Sequence, residues 1–313
     1  MTALPVRIGL VGCGRIAERG WLPAIAGVEA ARLAAVADLD TGRCRVVAPD
    51  TAAYGSAEEL VAAGGVDALI IATPAGSHLA DAQAAAAAGL PSLVEKPPTP
   101  DAAQARLLAG LDPAPWIAFN RRFEPALCRM REQLAGDDRL QLKLTFKYRR
   151  ASWQARVVAD EPLLDVGTHL IDLARWLTGS DLRRVQARVL TASRLRLELE
   201  LDRGVATISC ANNRPYYEGV AVRDADGSLL ASASRGGLVN AVRARFGSKG
   251  ENPLVESLVG ELTAFRSAVR GGNGGSLATA DDGVAAMTGV EGARRSAGLG
   301  GAWVDISPNL LHH

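Results

Sequence analysis

The chain has 313 residues, of which 48% are apolar, and this length accommodates about two domains with substantial buried cores. Basic and acidic residues number 35 and 34, so the net charge of +1 excludes a general electrostatic attraction to nucleic acid or to an anionic membrane. We therefore expect neither nucleic acid nor a membrane as a partner.

The cysteines and the N-terminus indicate the compartment. The four cysteines are widely spaced, with no Cys-x-x-Cys pair and no cluster of histidines beside them, so we predict no metal site. The N-terminus lacks the basic and long apolar regions of a signal peptide, and no run of about 18 apolar residues follows. We expect a reduced, soluble, cytoplasmic protein.

Short apolar runs alternate with alanine-rich helical patterns over residues 1–119. The predicted strands are Val6–Val11, Leu33–Ala37, Ala68–Ala72, Ser92–Val94 and Trp116–Phe119. The predicted helices are about Arg15–Ala26, Thr41–Ala48, Ala57–Ala63, His78–Ala88 and Asp101–Ala109. Strands and helices that alternate in this way form right-handed crossovers and a parallel sheet, so residues 1–119 are predicted to be a doubly wound α/β domain.

Residues 120–313 have a different periodicity, which predicts a second domain of the α+β class. Leucines alternate with charged residues over 195–202, and a similar alternation covers 140–147, as in strands with one buried face. Further strands are predicted at Val185–Thr191, Val205–Ala211, Gly219–Arg223 and Ser228–Ala233. The predicted helices are about Glu124–Leu134, Leu163–Leu177, Asn252–Val269 and Ala280–Ala297. We expect these strands to form an open, mostly antiparallel sheet. The last helix, about 280–297, is a candidate to pack against the first domain.

A glycine-rich turn follows the first predicted strand and opens the first helix. In Gly12-Cys-Gly14-Arg15-Ile16-Ala17, the first glycine permits a tight turn, the second lets a pyrophosphate approach the backbone, and the alanine permits close packing. The free N–H groups at the start of the helix favour phosphate. The pattern predicts that residues 1–119 are a Rossmann domain that binds a dinucleotide, and a purely structural turn is the alternative.

Asp38, at the end of the second predicted strand, is placed to accept hydrogen bonds from the ribose hydroxyls of the adenosine. A carboxylate at this position repels a 2′-phosphate, and only Arg43 is close enough in sequence to favour one. NAD is therefore the expected cofactor, with NADP as the alternative.

Lysine is rare in this chain, since four of the 35 cationic residues are lysines. One of them, Lys96, follows the predicted strand Ser92–Val94 in Glu95-Lys96-Pro97, at the carboxyl edge where open α/β sheets bind ligands. A desolvated lysine can share a proton, whereas arginine stays protonated, so a catalytic role is one interpretation and a surface turn is the other.

The segment Asp165-Val-Gly-Thr-His169-Leu-Ile-Asp172 opens a predicted helix of the second domain. Asp165 and His169 are four residues apart and share a helix face, while Asp172 is one turn further on and can orient the imidazole. A lone helical histidine is often structural, but this set together with Lys96 and the glycine-rich turn predicts a proton-transfer site.

With these motifs in place, the sequence resembles the Gfo/Idh/MocA family, which includes glucose–fructose oxidoreductase and inositol dehydrogenase. The segments that carry the resemblance are GLVGCGRIAERGWLPAI, AAVADLD, VDALIIATPAGSH, LVEKP, FNRRFEP, DVGTHLID and DGVAAMTGVEGARRSAGLGGAWVDI. They run in family order over almost the whole chain.

The resemblance implies an oxidoreductase that transfers a hydride between NAD(P) and a secondary alcohol or ketone of a sugar, cyclitol or related molecule. It implies that Lys96, Asp165 and His169 are catalytic. It also implies a cofactor-binding set that adds, to the residues of the glycine-rich turn and Asp38, the residues Ala72, Thr73, Pro74, His78, Glu95, Lys96, Asn120 and Trp153. Members of this family pack their open sheets together. The resemblance therefore also implies that residues 120–313 bind the small-molecule substrate and form a homodimer or a homotetramer through the C-terminal sheet.

Two departures from the family pattern bear on the substrate. Gln154 follows Trp153 where many members have arginine, and Glu161-Pro162-Leu163-Leu164 replaces a glycine-rich approach to Asp165. Two other functions stay open at this point: a non-catalytic NAD-binding regulator, and a family member that uses NAD for redox-assisted glycoside cleavage.

Overall fold

The computed structural model describes residues 4–134, 136–149, 161–236 and 252–306. The chain divides into two compact units, of which the first comprises Met1–Glu124 with Glu251–Val284 and the second comprises Pro125–Gly250 with Ala285–His313. The first unit thus includes a second, later segment of the chain, Glu251–Val284.

Unit 1 is built on a seven-stranded sheet, sheet A, with the order β13-β6-β5-β4-β1-β2-β3. Strands β1 to β6 are parallel, and β13 adds antiparallel to the edge strand β6. The strands are β1 (Val6–Val11), β2 (Ala31–Ala37), β3 (Ala52–Tyr54), β4 (Ala68–Ile71), β5 (Ser92–Glu95), β6 (Trp116–Ala118) and β13 (Ala278–Thr279). The central strands are apolar and buried because helices cover a parallel sheet on both faces.

The helices of unit 1 follow the predicted crossovers. They are α1 (Leu22–Ala26), α2 (Thr41–Val47), α3 (Ala57–Ala63), α4 (Ala75–Ala87), α5 (Ala102–Ala109) and α8 (Pro253–Val269). Three caps explain their boundaries: the side chains of Ser56, Asp101 and Asn252 accept hydrogen bonds from backbone N–H groups of the first turns of α3, α5 and α8. The Rossmann prediction is confirmed.

Unit 2 is built on a second seven-stranded sheet, sheet B, with the order β12-β11-β7-β10-β9-β8-β14. Its strands are β7 (Leu140–Arg149), β8 (Leu182–Leu190), β9 (Arg194–Leu201), β10 (Gly204–Ala211), β11 (Asn213–Arg223), β12 (Leu229–Gly236) and β14 (Val304–Asp305). All neighbouring strands are antiparallel except β7 and β10, which pair in parallel. The open, mostly antiparallel sheet is therefore confirmed.

Helices α6 (Pro125–Gln133) and α7 (Thr168–Thr178) belong to unit 2, and α7 packs on β7 and β10. The last helix, α9 (Ala280–Gly298), begins in the residues of unit 1 and continues in those of unit 2. Within unit 2 it lies close to α7 and β8, since a side chain at Gly289 would meet Ile171 and Leu182. Among the described helices, none is long and apolar enough to cross a lipid bilayer.

Candidate active site

The glycine-rich turn leaves β1 in the geometry that its sequence predicts. Gly12 has a φ of +94°, and a Cβ there would lie 2.6 Å from the carbonyl carbon and oxygen of Ala72, at the end of β4. Only glycine fits this position. A Cβ on Gly14, in contrast, would meet no atom within 4 Å, so the backbone at Gly14 borders open space.

The helix after the turn is not a regular α-helix. Residues Ala17–Trp21 form a π-helical turn before α1 begins, and Ala17 is fully buried under the turn. Single π-helical turns inside helices are often found at functional sites. The Arg15 guanidinium lies 3.6 Å from the carboxylate of Glu18. Ile16, which is half-buried, directly precedes the π-helical turn.

Asp38 is bound to the turn itself. Its Oδ2 accepts a hydrogen bond of 2.7 Å from the backbone N–H of Cys13, and its Oδ1 accepts one of 2.9 Å from the N–H of Asp40. Each carboxylate oxygen can accept more than one hydrogen bond, so these contacts are compatible with bound ribose hydroxyls. The guanidinium of Arg43 donates to the carbonyl of Cys13 and lies 3.9 Å from Glu18, so Arg43 is engaged within the protein.

The Cys13 thiol is fully buried and lies 3.5 Å from the Cys44 thiol, and burial raises the pKa of both thiols. A buried thiol with a raised pKa is a poor nucleophile. Cys13 is thus a small residue that fills the space under the turn.

The turn at the end of β4 carries Ala72, Thr73 and Pro74, and Pro74 precedes α4 as its N-cap residue. The Thr73 hydroxyl donates a hydrogen bond of 2.6 Å to Asp81 in α4. The imidazole of His78 lies 2.7 Å from the Thr73 carbonyl oxygen at Nε2 and 3.1 Å from the Pro98 carbonyl oxygen at Nδ1. With 1% of its surface exposed, His78 makes its contacts within the protein, and burial lowers the pKa of the ring.

Lys96 leaves β5 directly after a buried carboxylate. Glu95 is 7% exposed, and its Oε1 accepts a hydrogen bond of 2.8 Å from the indole N–H of Trp21, while Oε2 accepts one of 3.1 Å from the backbone N–H of Lys96. Burial raises the pKa of Glu95, and the Lys96 charge and the Trp21 hydrogen bond oppose that effect. Lys96 itself is half-buried.

Asn120 opens a short 3₁₀ turn after β6, and its amide donates a hydrogen bond of 2.8 Å to the Ser257 hydroxyl of α8. This contact fixes the orientation of the Asn120 side chain. Trp153 and Gln154 lie outside the described residues, as do Arg150 and Arg156, which flank them.

The second predicted set lies at the start of α7. Asp165 is in a π-helical turn, Leu163–Gly167. Thr168 closes this turn: its backbone N–H donates a hydrogen bond to the Leu163 carbonyl, and its hydroxyl donates one of 3.0 Å to the Leu164 carbonyl. Oδ2 of Asp165 accepts a hydrogen bond of 2.7 Å from the Tyr148 hydroxyl on β7. His169 and Asp172 follow in α7 and are 7% and 1% exposed.

Two family models match the chain. The model described as "Oxidoreductase family, NAD-binding Rossmann fold" covers residues 6–111, and the "GFO/IDH/MocA C-terminal domain" covers residues 131–219. The chain belongs to the Gfo/Idh/MocA family. As a member of this family it is an oxidoreductase, and NAD is its cofactor.

Named relatives agree with this membership. The chain is 29% identical to the rhizopine catabolism protein MocA of Rhizobium meliloti, over 92% of this chain and 93% of that protein. It is 30% identical to inositol 2-dehydrogenase 1 of Saccharopolyspora erythraea, where the match spans 63% of this chain and 61% of the relative. The crystal structure of apo scyllo-inositol dehydrogenase from Lactobacillus casei has the same fold, with a TM-score of 0.80 at 18% identity over 97% of this chain and 99% of that one.

The turn of this Gfo/Idh/MocA chain fits NAD. The open space at Gly14 suits a pyrophosphate, and Asp38 at the end of β2 suits a ribose without a 2′-phosphate. Among the residues with described positions, no group of three or more His, Cys, Asp or Glu could hold a metal ion.

Three residues that sequence reasoning did not single out form hydrogen bonds with predicted site residues: Trp21 and Asp81 in unit 1, and Tyr148 in unit 2. Trp21 donates a hydrogen bond to Glu95, and Tyr148 donates one to Asp165. Asp81 accepts one from Thr73. Trp21 carried one usable signal, since a buried indole N–H needs an acceptor. The partners of Asp81 and Tyr148 depend on the fold and had no such signal.

Proposed function

We propose that the chain is an NAD-dependent dehydrogenase that oxidises a secondary hydroxyl of a cyclitol or sugar, with Lys96, Asp165 and His169 as its catalytic residues. The observation that carries this proposal is the acid-and-imidazole pair at the start of α7, in which Tyr148 fixes Asp165 and His169 is nearly buried. A protein that only senses NAD has no need of such a pair. The relatives named as inositol 2-dehydrogenases support the substrate class.

His169 is the proton acceptor in this proposal. A neutral imidazole takes the proton from the substrate hydroxyl, while the hydrogen on the carbinol carbon leaves with its electron pair. Bound NAD supplies the acceptor for that hydride. Lys96 donates a hydrogen bond to the same hydroxyl oxygen and stabilises its developing negative charge. Asp165 orients these groups and offsets the positive charge.

The cofactor would be held by backbone groups of Gly12, Gly14, Arg15, Ile16 and Ala17 and by Asp38, with the Ala72–Pro74 turn alongside. Glu95, Lys96, Asn120 and Trp153 complete the proposed set. His78 enters it indirectly, because both of its ring nitrogens face carbonyl oxygens of the protein.

Sheet B supports a proposal for assembly. Buried leucines on β7 alternate with Gln141, Lys143 and Lys147, which are exposed in the single chain. We propose that this polar face packs against a second copy, to give a homodimer or a homotetramer. The four free cysteines, three of them buried, support a cytoplasmic location, where thiols stay reduced.

The test is a dehydrogenase screen of the full chain. Cyclitols, their O-methyl and amino derivatives, and free sugars are supplied with NAD or NADP, and NADH or NADPH is read by absorbance. We expect net NADH formation with at least one cyclitol or sugar and a preference for NAD. Turnover of a glycoside without net NADH would contradict the proposal, as would tight NAD binding with no turnover of any hydroxyl compound.

A further inference from the structure

The side chain of His78 touches two segments that leave neighbouring strands of sheet A. Nε2 lies 2.7 Å from the carbonyl oxygen of Thr73, just after β4, and Nδ1 lies 3.1 Å from that of Pro98, just after β5. Both contacts are shielded from water, since the side chain is 1% exposed. Buried carbonyl groups of this kind need a partner, and a neutral imidazole, which carries one N–H, donates to one of the two oxygens while its other nitrogen lies against the second.

The two His78 contacts lie just beyond the point where the pairing of β4 and β5 ends. Strands β4 and β5 pair from Leu69 opposite Ser92 to Ile71 opposite Val94, and the ladder ends there. Beyond that point the segment after β4 turns into α4, and the segment after β5 continues through Lys96 and Pro97. The imidazole lies between these two segments and contacts both, at a point where the β4–β5 hydrogen-bond ladder has ended.

Lys96 therefore has a fixed neighbour on each side in the sequence. Before it, Glu95 accepts the hydrogen bond of Trp21, an indole that is itself fully buried. After it, the Pro98 carbonyl meets His78. The backbone that carries Lys96 is held from two different elements, the Ala17–Trp21 turn and α4.

We propose that His78 is a positioning residue that couples the Thr73 turn, which borders the NAD site, to the backbone that carries Lys96. A change in the ring contact then alters NAD affinity through Thr73 and the placement of the Lys96 ammonium through Pro98. The importance of Lys96 rests on the proposed function, whereas the effect on NAD affinity rests on family membership alone.

Three substitutions separate the two contacts. In His78→Gln the amide reaches about as far as Nε2 and keeps the contact with Thr73, and in His78→Asn it reaches about as far as Nδ1 and keeps the contact with Pro98. His78→Leu removes both. Leu108→Val, on the buried face of α5, is the control that loosens the same unit without touching either carbonyl.

Neither readout needs the substrate. The first is the Kd for NAD, measured by calorimetry on the full chain. The second is the NMR signal of Lys96 after reductive ¹³C-methylation, which is practicable because the chain has only four lysines, and Lys96→Arg assigns the signal. Thermal unfolding reports the stability of each variant alongside.

We expect His78→Gln to move the Lys96 signal while the Kd for NAD stays within about 2-fold, and His78→Asn to raise that Kd about 10-fold. His78→Leu changes both, and Leu108→Val changes neither even where its Tm falls. The proposal is overturned if either readout is insensitive to all three His78 variants, whatever happens to their Tm. If the wild-type chain binds NAD but oxidises no sugar or cyclitol, the proposed function fails while both readouts remain measurable.

Discussion

The Tyr148 hydroxyl donates a hydrogen bond of 2.7 Å to Oδ2 of Asp165, and so ties the end of β7 to the π-helical turn before α7. The two residues are 17 positions apart, with a segment between them that the structure does not describe. The bond fixes the carboxylate of a proposed catalytic residue from outside its own helix.

Removing this hydrogen bond should slow turnover without weakening NAD binding. A hydrogen bond to a charged group contributes about 1.5–3 kcal/mol, so we expect Tyr148→Phe to lower kcat by about 10- to 100-fold. The KM for the substrate should change less than kcat, and the Kd for NAD should stay the same. Steady-state kinetics and calorimetry measure the three quantities.

Tyr216→Phe is the matched control, because the Tyr216 hydroxyl also donates to a carboxylate of unit 2, that of Glu218 at 3.1 Å. We expect its kcat to stay within about 2-fold of wild type, as for an ordinary partly exposed contact. An equal loss of activity in both variants would show a general effect of the sheet and would contradict a specific role of Tyr148.

Lys96→Met tests the proposed cation. Loss of a donor to a developing oxyanion typically lowers kcat by about 10²–10³-fold, and we expect a loss of this size with the Kd for NAD nearly unchanged. Lys143→Met, at an exposed position of β7, should keep the wild-type rate. Near-normal turnover of Lys96→Met on the true substrate would remove Lys96 from the mechanism.

Much of the fold was predictable because its signals are local. The strand Val6–Val11 has the predicted bounds, α5 begins after Asp101, and Gly89 follows α4 with a φ of +67° as a helix-ending glycine should. In each case a periodicity or a cap within a few residues determines the result. Alternation of leucine with charge over residues 195–202 likewise predicted β9, which spans Arg194–Leu201.

Features that depend on contacts between distant residues were not predictable. Trp21 and Glu95 are 74 positions apart, and β7 pairs in parallel with β10 across the intervening α7, β8 and β9. The short strands β3, β13 and β14 have too few residues to show a period. The π-helical turns at Ala17–Trp21 and Leu163–Gly167 replaced parts of the two predicted helices, since an inserted residue has no signature in composition.

Two alanine substitutions in the glycine-rich turn should have different consequences. Gly12→Ala places a Cβ 2.6 Å from the Ala72 backbone at a φ of +94°, so it should lower the Tm as well as abolish NAD binding. Gly14→Ala adds a methyl group with no protein atom within 4 Å, so the Tm without cofactor should stay near that of wild type. Its NAD affinity should still fall, because the methyl group occupies the space for the pyrophosphate. Thermal unfolding without NAD and calorimetry with NAD separate the two cases; equal Tm values for both variants would contradict the close packing at Gly12.

His78 should make the stability of the protein depend on pH in a definite direction. Burial lowers the pKa of the folded ring below its ordinary value of 6.5, although the carbonyls of Thr73 and Pro98 oppose part of this effect. As the pH falls below 6.5 the unfolded chain therefore binds a proton that the folded chain does not, and the His78 contribution to the unfolding free energy declines. It is fully present above that pH.

Urea unfolding of wild type and His78→Gln at about pH 7.5, 6.5 and 5.5 measures this contribution as the difference between the two proteins at each pH. Burial raises the pKa of Asp81, whose effect has the opposite sign, but that residue is present in both proteins and cancels from the difference. We expect the advantage of wild type to be largest at the highest pH and to shrink toward the lowest. A difference that is constant over the three pH values would mean that the ring is equally protonated in the folded and unfolded chains, contrary to the effect of its burial.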